Sequence, residues 1–205
     1  MNDQLKTEIE LDWAKGDGLL PVIVQDAGDG RVLMLGYMNR EALEATRSSG
    51  QVTFYSRSKQ RLWTKGETSG HTLQMQDLAV DCDRDTLLIQ AIPHGPTCHL
   101  GTTTCFGETE PPGAGVLGEL AATIAARTGS DPDSSYTARL LAEGIERCAQ
   151  KVGEEGVEVA LAAVGGDRDK LDSESADLLY HLLVCLHAGG SSLDNVLSVL
   201  RRRRR

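Results

Sequence analysis

Long apolar runs are missing from the 205-residue chain; none reaches the roughly 20 residues that a bilayer-spanning helix needs. The opening stretch, Met1 to Val24, also lacks the basic start and apolar centre of a secretory signal, and carries Asp3, Glu8, Glu10, Asp12 and Asp17 instead. The expectation is a cytoplasmic protein with no membrane partner. A surplus of positive charge is missing too. Against 21 Lys and Arg stand 30 Asp and Glu, for a formal charge of −9 at pH 7. Nucleic acid is therefore not an expected partner, because its binding relies on many cations displacing counterions. The carboxylates are better suited to holding metal ions. Cysteine is sparse and odd in number, at five, which fits metal ligands or buried thiols in a reducing compartment rather than a disulfide framework. Proline is limited to six positions while 40% of the residues are apolar, so the chain can bury one large core or two modest ones.

The densest chemistry lies at Asp81-Cys82-Asp83-Arg84-Asp85, followed by Cys98 and Cys105. Carboxylates at alternate positions with a thiol between the first two offer hard and soft ligands side by side. Upstream, Leu20 to Val24 and Val32 to Leu35 flank a Gly/Asp turn and read as a hairpin. Asn39 to Ser49 reads as a helix, capped by Asn39 and ended by Gly50. Val52 to Ser56, Thr72 to Val80 and Thr86 to Ile92 read as strands. If the second of these continues through the acidic cluster, Val80 and Cys82 face one side and Asp81, Asp83 and Asp85 the other. Between the strands, Arg57 to His71 is basic, hydroxyl-rich and contains Trp63. That composition suits a phosphate with a base stacked on the indole, and equally an ordinary polar loop.

Three thiolates would leave a tetrahedral zinc one ligand short, the mark of a catalytic site, and a water bound there becomes a hydroxide nucleophile. His71, His94 and His99 lie close in sequence as candidate bases. On spacing alone, catalytic zinc, structural zinc and plain buried cysteines all remain open. Asp81, Asp83 and Asp85 suit Mg²⁺ or, alternatively, a solvated turn.

Glu108 to Gly115 has linker composition, and beyond it strand signals stop. Val116 to Arg127, Tyr136 to Ala163, Ser173 to Ala188 and Leu193 to Arg205 all carry helical periodicity. Glu154, Glu155 and Glu158 fall on one long helix, and Glu174 and Asp177 open the next, at spacings that place each set on one face. Facing each other they form a carboxylate cage for a cation. A solvated acidic face is the bland alternative, opposed by Val157, Val159, Leu161, Leu178, Leu179 and Leu182, which read as core-facing. Gly153 and Gly156 are weak points in this helix, to be explained by flexibility or by close packing. Cys148, on a stripe with Leu141, Ile145 and Val152, and Cys185 read as core, and Arg201 to Arg205 as a dipole-complementing end or a frayed tail in preference to a phosphate-binding group.

The strings Ser56-Arg57-Ser58, Leu62 to Gly70, Asp81 to Asp85 and Cys98-His99 through Cys105-Phe106 resemble phosphoribosyl-AMP cyclohydrolase of histidine biosynthesis. The resemblance implies Zn²⁺ on Cys82, Cys98 and Cys105, Mg²⁺ on Asp81, Asp83 and Asp85, and a homodimer whose zinc site takes Cys82 from one subunit and the later cysteines from the other. Substrate contacts are expected at Arg57, Trp63, Lys65 and Ser69, and acid/base work at His99. Gln150 to Glu155 with Glu174 to His181 resemble phosphoribosyl-ATP pyrophosphatase, one of the all-α (MazG-like) pyrophosphohydrolases. That likeness implies Mg²⁺ on Glu154, Glu155, Glu158, Glu174 and Asp177, with Glu155 catalytic and Lys151 on the phosphates. The expected architecture is multidomain α and β, with a mainly-β cyclohydrolase domain over 1–108, a linker over 109–115 and an all-α domain over 116–205. Two rivals are a general nucleotide pyrophosphatase with a zinc module attached, and a non-catalytic zinc-stabilised interaction protein.

Overall fold

The computed structural model describes residues 10–204; the acidic opening up to Ile9 and the terminal Arg205 lie outside them. The chain divides into two compact units at Val116/Leu117.

In the first unit, β1 (Leu20–Asp26) and β2 (Val32–Met38) pair antiparallel across the Gly/Asp turn. They join β5 (Leu73–Val80) and β6 (Leu87–Pro93) in a four-stranded sheet of order β2-β1-β6-β5, with β1 parallel to β6. Alternation along β1 sends Leu20, Val22 and Val24 into the core, where they meet Leu33, Met38, Leu87 and Ile89. Helix α1 (Arg40–Ser49) starts where Asn39 accepts the Ala42 N–H at 2.8 Å, and it stops at Gly50, whose φ of 71° needs no Cβ. Thr46, buried on α1, takes the Thr53 N–H and so ties the helix to β3 (Thr53–Ser56).

One strand escaped the sequence pattern. Arg61–Thr64, inside the stretch read as a basic loop, is β4 and pairs antiparallel with β3. Its partner residues are Phe54, stacked on Trp63 at 5.6 Å, and Thr53, hydroxyl to hydroxyl with Thr64 at 2.9 Å. These cross-strand contacts outweigh the basic composition. A second expectation fails at Asp81. Strand β5 ends at Val80, and the acidic cluster is a turn in which Asp81 Oδ1 accepts the N–H groups of Asp85 and Thr86, both at 3.0 Å. Arg84 takes a φ of 65° there, so strand alternation does not sort Cys82 from the aspartates.

The linker-like stretch is laid against the β1–β2 turn. Arg31 donates to the Thr109 carbonyl at 3.2 Å, Pro111 is buried, and a Cβ on Gly115 would lie 2.0 Å from the Asp29 carbonyl oxygen.

The second unit is helical. Helix α2 (Gly115–Ala126) leads into it, and α3 (Tyr136–Glu143), α4 (Ile145–Gly165), α5 (Arg168–Ala188) and α6 (Leu193–Arg203) follow. The single helix expected over 136–163 is broken at Gly144, whose φ of 93° turns the chain between α3 and α4. Helix α5 begins a turn and a half before Ser173, because Asp167 caps it by accepting the Lys170 N–H at 3.0 Å. Glu174 and Asp177 therefore sit well inside α5. Ile124, Leu140, Cys148, Leu183 and Val184 form the core. A Cβ at Gly153 or Gly156 would meet nothing within 4 Å, so close packing within the chain is not why glycine stands there. Among the described residues, no single helix is long and apolar enough to cross a membrane.

Candidate functional sites

Each unit gathers its own set of ligating groups. In the first, a pocket of about 380 Å³ is lined by Met34, Trp63, Lys65 to Ser69, His71, Pro96 to His99, Gly101 and Cys105. The loop after β6 brings Cys98 and Cys105 together: Cys105 N–H donates to Leu33 O at 2.8 Å, and Cys98 N–H to Thr102 O at 3.1 Å. Cys98 Sγ accepts the Leu100 N–H at 3.5 Å. That N–H, with the Thr102 hydroxyl and Cys105, holds the Cys98 thiol below its ordinary pKa, while burial and then Cys98 push Cys105 up. Lys65 is buried beside them. Its ammonium donates to the His71 carbonyl at 2.9 Å, and burial lowers its pKa against the pull of the two thiols.

The residues singled out from sequence part company here. Trp63, Lys65, Ser69 and His99 line the pocket together with Cys98 and Cys105. His99 Nδ1 lies 3.9 Å from Cys98 Sγ. Arg57 lies outside the lining, its guanidinium 3.8 Å above the Tyr37 ring. His94 is turned to Gln74, 3.3 Å away. Cys82 is exposed and forms no ligating group with Cys98 and Cys105.

Asp81, Asp83 and Asp85 each bring an oxygen within 4.8 Å of the others. Lys15, 66 residues upstream of Asp81, was not foreseen. Its Nζ lies 2.8 Å from Asp83 Oδ2 and 3.3 Å from Asp85 Oδ2, and the Asp83 contact raises its pKa. Burial works against the Asp81 carboxylate, but the Thr86 and Asp85 N–H groups outweigh it and hold its pKa down.

In the second unit, α4 and α5 bring Glu155, Glu158 and Glu174 oxygens within 4.8 Å of one another. Glu155 is only 5% exposed. Lys151 Nζ lies 2.6 Å from its Oε1, and these hydrogen bonds to Glu155 and Glu154 raise the lysine pKa well above the ordinary range. Burial, and then Glu158, raises the Glu174 carboxyl: three acids converge with too little positive charge between them. Asp177 adds to that field. Glu154 faces away from it, accepting from Gln150 at 2.8 Å and Lys151 at 2.9 Å. His181 went unassigned in the sequence. It is buried, its Nε2 lies 3.6 Å from Glu155 Oε1, and burial lowers its pKa.

Four of the six surrounding apolar residues contradict their expected role, whereas Val159 and Leu178 are half-buried. Leu161 is 65% exposed, and Val157, Leu179 and Leu182 are exposed as well. The periodicity that reads as core-facing marks a surface of this chain. What argues against a merely solvated acidic face is the burial of Glu155 itself.

Two unlike folds, each with a cluster of side chains able to hold a metal ion beside a lysine that is buried or nearly so, define a protein with two separate candidate sites. Residues 34–107 match the family model for phosphoribosyl-AMP cyclohydrolase, and residues 117–204 the model for phosphoribosyl-ATP pyrophosphohydrolase. The histidine biosynthesis bifunctional protein HisIE of Xylella fastidiosa is 62% identical over 196 residues, which cover 96% of this chain and 94% of that one. The HisIE proteins of Escherichia coli, 59% identical over 95% of both chains, and of Vibrio cholerae, 57% identical over 94% of this chain and 93% of that one, are similarly close. The chain belongs to this family of bifunctional histidine-biosynthesis hydrolases, a cyclohydrolase followed by a pyrophosphohydrolase.

Proposed function

We propose that the domain over residues 116–205 takes phosphoribosyl-ATP and water to phosphoribosyl-AMP and pyrophosphate, and that the domain over 1–108, joined through 109–115, opens the adenine ring of that product. The observation that carries the first step is the convergence of Glu158 and Glu174 on the buried Glu155. The undercompensated charge there fits Mg²⁺, with Asp177 adjacent and Glu154 reaching the site after release from Lys151. Lys151 then has a phosphate oxygen to meet. Glu155, held between Lys151 and His181, is the group we assign to accept the proton of the attacking water.

In the cyclohydrolase, Cys98 and Cys105 fit Zn²⁺ by their softness, but two thiols are fewer than its usual ligand number. Cys82 of a second subunit completes the set in our reading. Leu100 and Phe106, 77% and 62% exposed beside the two cysteines, support a homodimer because large apolar side chains at a ligand-poor site favour burial against another copy. The chemistry that bound zinc supplies is a hydroxide at neutral pH, and the chemistry that bound magnesium supplies is neutralisation of phosphate charge. The water oxygen bonds to C6, the N1–C6 bond breaks, and N1 receives a proton, which we assign to His99. Trp63 and Ser69 bound the substrate, Lys65 offsets charge at the thiols, and Arg57 reaches the ribose phosphate on leaving Tyr37. Asp81, Asp83 and Asp85 form a second Mg²⁺ set once Lys15 withdraws. A cytoplasmic setting suits an odd number of cysteines used as metal ligands or buried thiols.

The test is a coupled assay on the full chain, following pyrophosphate and the ultraviolet change of ring opening from phosphoribosyl-ATP. Glu155→Gln is expected to abolish pyrophosphate release while added phosphoribosyl-AMP is still opened. Loss of both activities together overturns the two-site reading.

A further inference from the structure

ATP presents the same triphosphate as phosphoribosyl-ATP, so carboxylates and Lys151 alone cannot separate the two. Selection has to come from the base end. Next to the carboxylates lies an aromatic feature with no role so far. Tyr136, the first residue of α3, is 49% exposed, and its ring stacks on that of Tyr180 with centroids 6.3 Å apart at 30°. Both rings stand edge-on to His181, at 5.9 Å and 83° for Tyr136 and 5.0 Å and 71° for Tyr180. His181 in turn faces Glu155 at 3.6 Å. One imidazole thus separates an exposed aromatic face from the clustered acids.

The rings are held in place. Tyr180 is half-buried with its hydroxyl 2.7 Å from Thr137 Oγ1, and Ser135 caps α3 by accepting the Ala138 N–H at 3.1 Å. A rigid, flat, solvent-facing surface of this kind suits a purine, which stacks with little ordering cost. The chemistry of this purine adds a second reason. A sugar on N1 turns the six-membered ring into a cyclic amidine basic enough to hold a proton near neutral pH, whereas the adenine of ATP is neutral. Aromatic faces attract a cation placed over them.

We infer that Tyr136, backed by Tyr180, is a specificity-determining residue: its ring stacks on the N1-substituted, positively charged adenine and so favours phosphoribosyl-ATP over ATP. The inference rests on the reading of Glu155, Glu158 and Glu174 as the triphosphate site.

The experiment measures pyrophosphate release from phosphoribosyl-ATP by the full chain, with ATP and N1-methyl-ATP as competing inhibitors. For the native chain, N1-methyl-ATP is expected to inhibit about tenfold more tightly than ATP. Tyr136→Leu should erase that preference and raise KM about tenfold with kcat nearly unchanged, and Tyr136→Phe should retain native behaviour. Equal inhibition by the two nucleotides in the native chain overturns the inference, and needs no variant that folds. So does an unchanged KM in Tyr136→Leu. Glu155→Gln run alongside separates the two ideas: if it is inactive while Tyr136→Leu behaves as native, only the stacking fails, and if it still releases pyrophosphate, the site assignment falls and takes the inference with it.

Discussion

Lys151 holds two consecutive carboxylates of its own helix, Glu155 Oε1 at 2.6 Å and Glu154 Oε2 at 2.9 Å. Glu155 is buried and points toward Glu158 and Glu174, whereas Glu154 is turned to the outer face. A single ammonium therefore sits at the boundary between the carboxylate group and solvent. It compensates the acid that is most costly to leave alone.

Removing that ammonium should be felt in folding before any substrate is added. Lys151→Met leaves Glu155 as a buried, unpaired anion and should cost about 3 kcal/mol, less than the full range for a wholly buried pair would allow. Urea unfolding without divalent ions measures it. Because the lysine pKa is raised in the folded chain, its contribution is complete below the ordinary value of 10.5 and fades only as the pH rises beyond it. An effect of the substitution that disappears between pH 6 and 8 would contradict this account.

Glu174 shifts in the same direction, but in the acid range. Its carboxyl is raised by burial and by Glu158, so the folded chain binds the proton more tightly than the unfolded one does. Metal-free stability should rise as the pH falls through the folded pKa, with the gain complete below the ordinary 4.5. Mg²⁺ should raise the melting temperature at pH 7 by several degrees. Glu174→Gln should raise the metal-free melting temperature and remove the Mg²⁺ increment; differential scanning calorimetry decides.

Zinc sharing between subunits makes a complementation prediction. Cys82→Ser and Cys98→Ser chains, each inactive in ring opening, should regain about a quarter of native activity when unfolded together and refolded as a mixture. Half the dimers are then mixed, and each of those carries one intact site. Zinc content should recover in parallel. No recovery would place all three cysteines in one chain's site.

The Lys15 ammonium lies between Asp83 and Asp85, where the proposed Mg²⁺ set would need it to withdraw. Both sides are well exposed, so the pair is weak. Lys15→Met should tighten Mn²⁺ binding at Asp81, Asp83 and Asp85 a few-fold, read by electron paramagnetic resonance, while the helical unit's affinity stays constant. Unchanged binding would show that the lysine does not compete.

What was legible in the sequence is what neighbouring residues determine. Asn39 and Gly50 announce the ends of α1 because a cap acts within one turn, and the Gly/Asp turn announces the β1–β2 hairpin because only a few residues specify it. The two kinds of fold, the family and its two chemistries followed from strings such as Leu62 to Gly70 and Glu174 to His181.

Tertiary structure decided whatever depends on residues far apart. The basic run holding Trp63 became a strand because Phe54 and Thr53 were there to pair with it. The aspartates converge through two backbone N–H groups folding onto Asp81, and a lysine 66 residues before it neutralises two of them. On α4, periodicity alone could not tell an apolar face that is covered from one left bare, and the exposed Leu161 stands six residues from the buried Glu155. Periodicity records which residues share a face; burial depends on what packs against that face, and only the assembled fold supplies that.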